Sequence, residues 1–439
     1  MGVWRRRSLA SFSIGFSVFG ALATLLVAVS APGKAAELPA LQGELRSGNI
    51  LLADLSDSGR PTAATHEIPE GWSYVNLSWQ AEVDAPAAAP GSALTSYLWK
   101  AGLQFGYLTP SGHLHELRGD TDGKWTHADL MEQPVNSEPA APGSALTSYF
   151  WGGYKQIAYL TADGHVHEIC RNPGQWWSHA DLLQQAGVAG APSAVAGSAL
   201  SACVWRAYKQ IVYLTADGHV QELSCDTTAK WTHSDLMQRP GIDAAPAIPG
   251  SPLATYLSGD DKQIDYLTAD GHVHELRCDV NEKWTHVDVS QSAGAEAAAA
   301  VSGSSLAAAA WAGCRQIAYL TTDGHIQELG CDAAGKWTHA DLMEQPGCDA
   351  AAAAPGSPLL AYVYGGCKQF AYISPDGHVH ELSCGLCETW KHRDLMQEAG
   401  MNSDFAAKGS RLAFCVWGSL KQIAYLSESG QVHALGFRP

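Results

Sequence analysis

Basic residues are scarce in this 439-residue chain: 27 Lys and Arg stand against 44 Asp and Glu, a formal net charge of −17 at pH 7. An acidic surface repels phosphate backbones, which argues against nucleic acid as a partner. Amphipathic helix is missing as well. No segment between the apolar runs is long enough to carry a helical stripe, so helical fold classes drop out. Zinc-binding cysteine patterns are absent: Cys384-x-x-Cys387 has neither a second pair nor a His at ligand spacing, and we expect no metal and no cofactor. The acids form no asymmetric cluster, and no Ser or Cys nucleophile recurs beside a His, which excludes the usual hydrolase layouts and argues against an enzyme.

What is present is a repeat. Around residues 155–182 the chain reads KQIAYLT, then HVHEI, then a Trp-led WSHADL; the first two segments return seven times, and a Trp-led segment follows in all but the last. The position closing the preceding segment falls at Trp99, Trp151, Trp205, Ser258, Trp311, Tyr364 and Trp417, 52 to 54 residues apart. A fixed period of that size marks a repeat architecture. Each unit has four short extended segments, in the second unit residues 143–151, 155–161, 165–169 and 177–182, rich in aromatic and β-branched residues and bounded by Gly, Pro, Asp and Ala. The pattern predicts an all-β chain: a seven-bladed β-propeller with four antiparallel strands per blade. The last unit stops after three segments, while residues 72–77 (WSYVNL) match the spacing of WTHADL at 125–130. An N-terminal strand is therefore expected to close the last blade, with the propeller spanning residues 71–439 and an N-terminal extension at 37–70.

Residues 1–36 have the layout of a signal peptide: Arg5, Arg6 and Arg7, an apolar stretch from about 12 to 31, then small residues. Cleavage after Ala31 or Ala36 gives a secreted or extracytoplasmic protein; left uncleaved, the stretch is long enough to anchor in a membrane. The first 36 residues hold four basic residues and no acid, so their removal takes the formal charge from −17 to about −21.

Eleven cysteines in such a chain invite a disulfide reading. Cys225, Cys278, Cys331 and Cys384 recur every 53 residues, at equivalent places on successive blades too far apart to bridge. Within a blade, Cys314 and Cys331 lie on two strands joined by the Asp323-Gly324 turn and nearly face each other; we expect them to pair, with Cys367 bridging to Cys384 or Cys387. The paired histidines His165 and His167, with copies such as His272 and His274, share a strand face. So do Trp177, His179 and Asp181, with copies such as Trp231, His233 and Asp235. Both sets read as structural, because copies on a third strand diverge around a ring and a His–Asp pair satisfies buried polar groups blade by blade.

Glu116, Glu168, Glu222, Glu275, Glu328 and Glu381 fall in mid-strand, where a carboxylate is costly unless it is paired, hydrogen-bonded or open to a ligand. Their face depends on the turn. A three-residue loop at Ala162-Asp163-Gly164, the favoured choice, puts Glu168 with Gln156; a two-residue Asp-Gly loop puts it with Lys155 and Tyr159 as a salt-bridged structural pair.

The order of a small-residue strand ending in Trp, an aromatic strand, an Asp-Gly turn, a strand with an internal Glu and a Trp-led outer strand resembles the fucose-specific lectin propellers, particularly the seven-bladed bacterial lectins of the Photorhabdus type. The resemblance covers all seven units. It implies sugar sites between adjacent blades, built from a second-strand polar residue, the third-strand Glu and an aromatic. On this chain those are Gln104, Gln156, Gln210, Gln263, Gln316 and Gln369, the six glutamates, and Trp99, Trp151, Trp205, Trp311, Tyr364 and Trp417. Where the family carries Arg this chain carries Gln, with Lys or Arg usually one residue earlier. Sugars need a flat apolar platform and in-plane polar groups, and Trp, Glu and Gln supply both. The expected function is a multivalent lectin for glycans or glycoconjugates, fucose or a related sugar among them. The alternative is a ligand-free or protein-binding scaffold; open clefts favour the first and filled clefts the second. Ala434 replaces the Glu of the seventh unit, so that cleft is expected to be dead, and Ser258 should weaken the cleft it borders.

Overall fold

The computed structural model describes residues 71–439 apart from 81–83, 101, 121–122, 133–136, 173, 175–176, 295–296 and 387–388. The signal segment and the extension at 37–70 lie outside the described residues. The rest forms seven four-stranded antiparallel sheets. Blade two is typical, with strands Leu146–Trp151, Tyr154–Leu160, Val166–Arg171 and Trp177–Asp181. The first strands of neighbouring blades lie side by side, so they are the inner strands around the axis.

The ring closes as the repeat predicts. Gly71–Asn76 pairs antiparallel with Val432–Arg438, Trp72 opposite Phe437 and Tyr74 opposite Leu435, supplying the outer strand that the last unit lacks. A second link recurs at every seam. The N–H of Ala194, in the linker entering blade three, donates to Gly164 O in the turn of blade two at 2.8 Å, and Ala88 N–H donates to Gly430 O at 2.8 Å across the closure. Gly164 has φ +81°, and a Cβ there would stand 2.4 Å from Ala194 O, so both the backbone conformation and the contact demand glycine.

That turn settles the register. Gly164 N–H donates to Thr161 O and Thr161 N–H to His165 O, enclosing a three-residue loop, and Ala158 faces Glu168. Glu168 thus lies on the face of Gln156, as favoured. The same alternation defeats the disulfide expectation. Arg315 faces Cys331 and Trp311 faces Cys314, so Cys314 is one position out of step and points to the opposite face of the sheet; both residues are thiols. Cys367, also a thiol, stands one position from Lys368, which is the residue opposite Cys384; Cys387 lies outside the described residues.

The core lies in the seams between blades. Between blades two and three, Ala158, Leu160 and Val166 pack on Ile211, Tyr213 and Leu223, and each other seam has a comparable cluster. Full burial of an Ile or Leu contributes roughly 1.5–3 kcal/mol, which explains why second strands are apolar on both faces. A polar group inserted here must be paired.

Candidate functional site: the seams between blades

Six seams contain a buried ion pair that spans two blades. The third-strand glutamate reaches the cation at the start of the next blade's second strand: Glu116 with Lys155, Glu168 with Lys209, Glu222 with Lys262, Glu275 with Arg315, Glu328 with Lys368 and Glu381 with Lys421. Lys209 Nζ donates to the two Glu168 oxygens at 2.8 and 3.0 Å and to Gln156 Oε1 at 3.2 Å. Gln210 and Gln369 accept from Lys262 and Lys421 in the same way, at 2.8 and 3.0 Å. From the inner strand the hydroxyls of Tyr97, Tyr149, Tyr256 and Tyr362 donate to Glu116, Glu168, Glu275 and Glu381. Burial first, then the adjacent carboxylate, pushes the Tyr97, Tyr149 and Tyr362 phenols well above their ordinary range. Burial also pulls the Lys155 and Lys421 ammonium groups down, against the opposing pull of Glu116 and Glu381.

Aromatic faces enclose each lysine. Lys209 Nζ lies 5.3 Å from the Trp151 ring centre and 4.7 Å from that of Trp231; Lys155 is 4.8 Å from both Trp99 and Trp177. Such cation–π contacts compensate part of the ammonium's desolvation. Four of the rim rings are also tied down. The indole N–H of Trp151, Trp205 and Trp311 donates to Ala207 O, Asp260 O and Gly366 O, and the Tyr364 hydroxyl donates to Ser419 O, in each case on the hairpin of the next blade. The ring forms a lid over the pair beneath.

The expected Gln, Glu and aromatic of one blade therefore do meet in one seam, but the seam has an occupant. All six glutamates are at most 6 % exposed, and Gln104, Gln156, Gln210, Gln263, Gln316 and Gln369 at most 7 %. Trp99 and Trp205 are buried, while Trp151, Trp311, Tyr364 and Trp417 are half-buried. Sequence reasoning missed the role of the lysines. The signal was present, since the cation recurs one residue before each Gln except in the first unit, which follows the unit lacking Glu.

Two seams depart from the pattern. Where blade seven meets blade one, Ala434 and Leu103 stand in place of Glu and Lys and join Phe105, Trp125 and Trp417 in an apolar cluster. Between blades four and five the rim ring is replaced by Ser258 and the lysine by Arg315, whose guanidinium lies 4.8 Å over Trp337 and bonds Glu275 and, at 3.1 Å, Cys331 Sγ. Asp265 stands opposite Glu275, at the place of Ala158, Ala318, Ala371 and Ala424 in other blades. It is fully buried, and neither carboxylate oxygen has a hydrogen-bond partner among the described residues. Burial, then the neighbouring Glu275, pushes its carboxyl well above the usual range; Glu275 is raised too, by burial, with Arg315 pulling it back.

No family model matches the chain, and no curated protein matches it. Solved structures do. The lectin BP39L from Burkholderia pseudomallei superposes with a TM-score of 0.59 at 13 % identity, covering 80 % of this chain and 96 % of that one. The lectin of Aleuria aurantia, described as a six-bladed propeller with a novel fucose recognition mode, gives 0.48 at 15 % identity, covering 70 % of this chain and 96 % of that one. AofleA from Arthrobotrys oligospora gives 0.47 at 12 %, covering 79 % and 93 %. At such identities the likeness to BP39L establishes a shared propeller fold.

Proposed function

We propose that this chain is an exported carbohydrate-binding protein, a lectin, and that its sugar seat is the seam between blades four and five. The observation that carries this is the missing lid at Ser258 above Arg315, Glu275 and the unpartnered Asp265. A sugar ring in the place of the absent indole would cover the pair as Trp151 and Trp311 cover theirs. Its hydroxyls would meet the planar donor fork of Arg315, with the buried carboxyls of Glu275 and Asp265 behind it. The fold shared with a bacterial lectin and the signal-like leader support the same reading. Fucose or a related sugar is the candidate ligand class. Valency falls from the six clefts expected of the repeat to one per chain, because the other charged seams are filled by lysine. For those seams the scaffold alternative is favoured by the lysine that each glutamate pairs with and by the aromatic ring above it. A free monosaccharide would bind on the order of millimolar, about −4 kcal/mol.

The test is a glycan array followed by calorimetry on the wild type and on Ser258→Trp, which restores the lid. Binding that disappears in the variant while melting is unchanged supports the assignment. No retained glycan, or equal binding by both proteins, would sink it.

A further inference from the structure

A second cluster lies at the other end of the blades. Antiparallel pairing puts the turn between second and third strands on the face of the disc away from the rim rings, and there two imidazoles and a carboxylate converge within one blade. In blade one His113 Nδ1 is 2.7 Å from Asp129 Oδ2, and His115 Nε2 is 3.6 Å from the same oxygen. Blade two repeats this with His165, His167 and Asp181 at 2.7 and 3.9 Å, and blade four with His272, His274 and Asp288 at 2.9 and 3.8 Å, where Asp270 Oδ2, 3.8 Å from His272 Nδ1, brings a second carboxylate to the same pair of rings. The other carboxylate oxygen is held by the backbone N–H of Met131, Leu183 or Gln291, which fixes Oδ2 toward the rings.

A third imidazole stands behind each pair. His115, His167 and His274 Nδ1 lie 2.7, 2.7 and 2.8 Å from Nε2 of His127, His179 and His286. When the outer ring accepts that proton, the inner Nε2 is a bare lone pair facing a carboxylate oxygen across a gap too wide for a hydrogen bond. This is an outer-shell partner fixing the tautomer of a ligating histidine. Zinc bonds of about 2.0–2.1 Å at tetrahedral angles set ligand atoms roughly 3.3–3.5 Å apart; the inner His to Asp distances of 3.6–3.9 Å lie near this, while the outer His to Asp contacts of 2.7–2.9 Å are hydrogen bonds that an ion would replace. The outward rings of His113, His165 and His272, 37, 26 and 35 % exposed, leave a path from solvent.

The chain contains its own controls. Blade three carries Gln221 at the inner position, and this amide bonds His233 instead; in blade five Gln327 bonds His339 and also donates to Asp341 Oδ2 at 2.8 Å, so the carboxylate oxygen beside His325 and Glu344 is already engaged. In blade six His380 Nε2 is taken by Ser374 Oγ at 2.9 Å.

We propose that blades one, two and four each bind a divalent transition-metal ion of the Zn²⁺ class through His113, His115 and Asp129, through His165, His167 and Asp181, and through His272, His274 and Asp288, with a coordination position left open. The sequence pattern argued against metal because copies diverge around a ring; each of these sites is complete inside a single blade. Equilibrium dialysis of the full chain against micromolar Zn²⁺ should retain three ions, and Co²⁺ should give the visible absorption of a low-symmetry site. His167→Gln, which copies blade three and keeps the bond to the outer histidine, should lower the count to two with melting unchanged. The triple variant His115→Gln, His167→Gln, His274→Gln should lower it to zero. No retained Zn²⁺ in the wild type, or an unchanged count in the triple variant, would overturn the proposal.

Discussion

The seam between blades two and three and the seam that closes the ring use the same strands at the same positions, yet one holds Glu168, Lys209 and Gln156 while the other holds Ala434 and Leu103. Acid and base vanish together, although they sit on opposite ends of the chain. A glutamate kept only for an outside ligand would not need its loss in blade seven to be matched by loss of the cation in blade one. Two groups that neutralise each other in a dry seam would, since either alone leaves an uncompensated buried charge. The carboxylates of the lidded seams are therefore parts of the ring's own cohesion.

The harshest way to break this comparison is to remove the closing strand. Deleting residues 1–77 takes Trp72 from under Lys421 and Val75 and Leu77 from the closing cluster, and bares the edge of Val432–Arg438. Loss of a cooperative calorimetric transition is expected; an unchanged melt would show that closure is dispensable. Next in size is Glu168→Ala, which strands Lys209 between two indoles and should cost about 3–5 kcal/mol in urea denaturation. Adding Lys209→Leu copies the closing seam and should recover most of that loss. If the single variant is no less stable than the double, the pair is not what holds the seam.

Much of this architecture was legible. Period 53, four extended segments and a truncated last unit dictated the ring and its closure, and the Ala-Asp-Gly loop gave the face of Glu168. The partner of Glu168 was not legible, because strand alternation relates residues within a sheet and says nothing about which side chain of the next blade enters the seam. Lys209 was visible as a repeated residue and invisible as an occupant. Cys314 and Cys331 failed for a smaller reason: a register error of one residue moves a side chain to the other face.

The closing blade differs at its other end too, which gives a pH test. Tyr74 and Asn76 replace the outer His and Asp, and His433 is fully buried with neither ring nitrogen partnered among the described residues. Burial pushes its imidazole down to about 4, with Asp404 pulling weakly the other way. Unfolded histidine takes up its proton near pH 6.5, so between pH 6.5 and 4 the unfolded chain binds more protons than the folded one. The stability is full above that window and drains as pH falls through it, by about 2 kcal/mol at pH 5 for this group. His115 and His380, also near 4, add to the slope. His433→Leu should make the loss between pH 7 and pH 5 smaller by about that amount, measured by urea titration at both pH values. An identical loss in variant and wild type would mean that His433 finds a partner in solution.

The smallest effect separates the unlidded seam from the lidded ones. Burial, then Glu275, raises the Asp265 carboxyl above its unfolded value near about 4, so the group favours the fold at acid pH and that contribution is lost as pH climbs toward the folded value. Asp265→Ala, copying the residue at this place in blades two, five, six and seven, should therefore stabilise the protein at pH 7. The gain should be about 1 kcal/mol, the low end of the roughly 1–3 kcal/mol cost of a buried unpartnered group, because Arg315 alongside offsets part of it. If the fourth seam seats a sugar, the same substitution removes the polar group behind Arg315 and should weaken binding. A rise in melting temperature with a fall in affinity is the signature of a group kept for a ligand at the expense of the fold. A rise with affinity intact would leave Asp265 outside the sugar's reach and shift the contact to Arg315 and Glu275, and a fall in stability would mean that the carboxyl is partnered inside the seam after all.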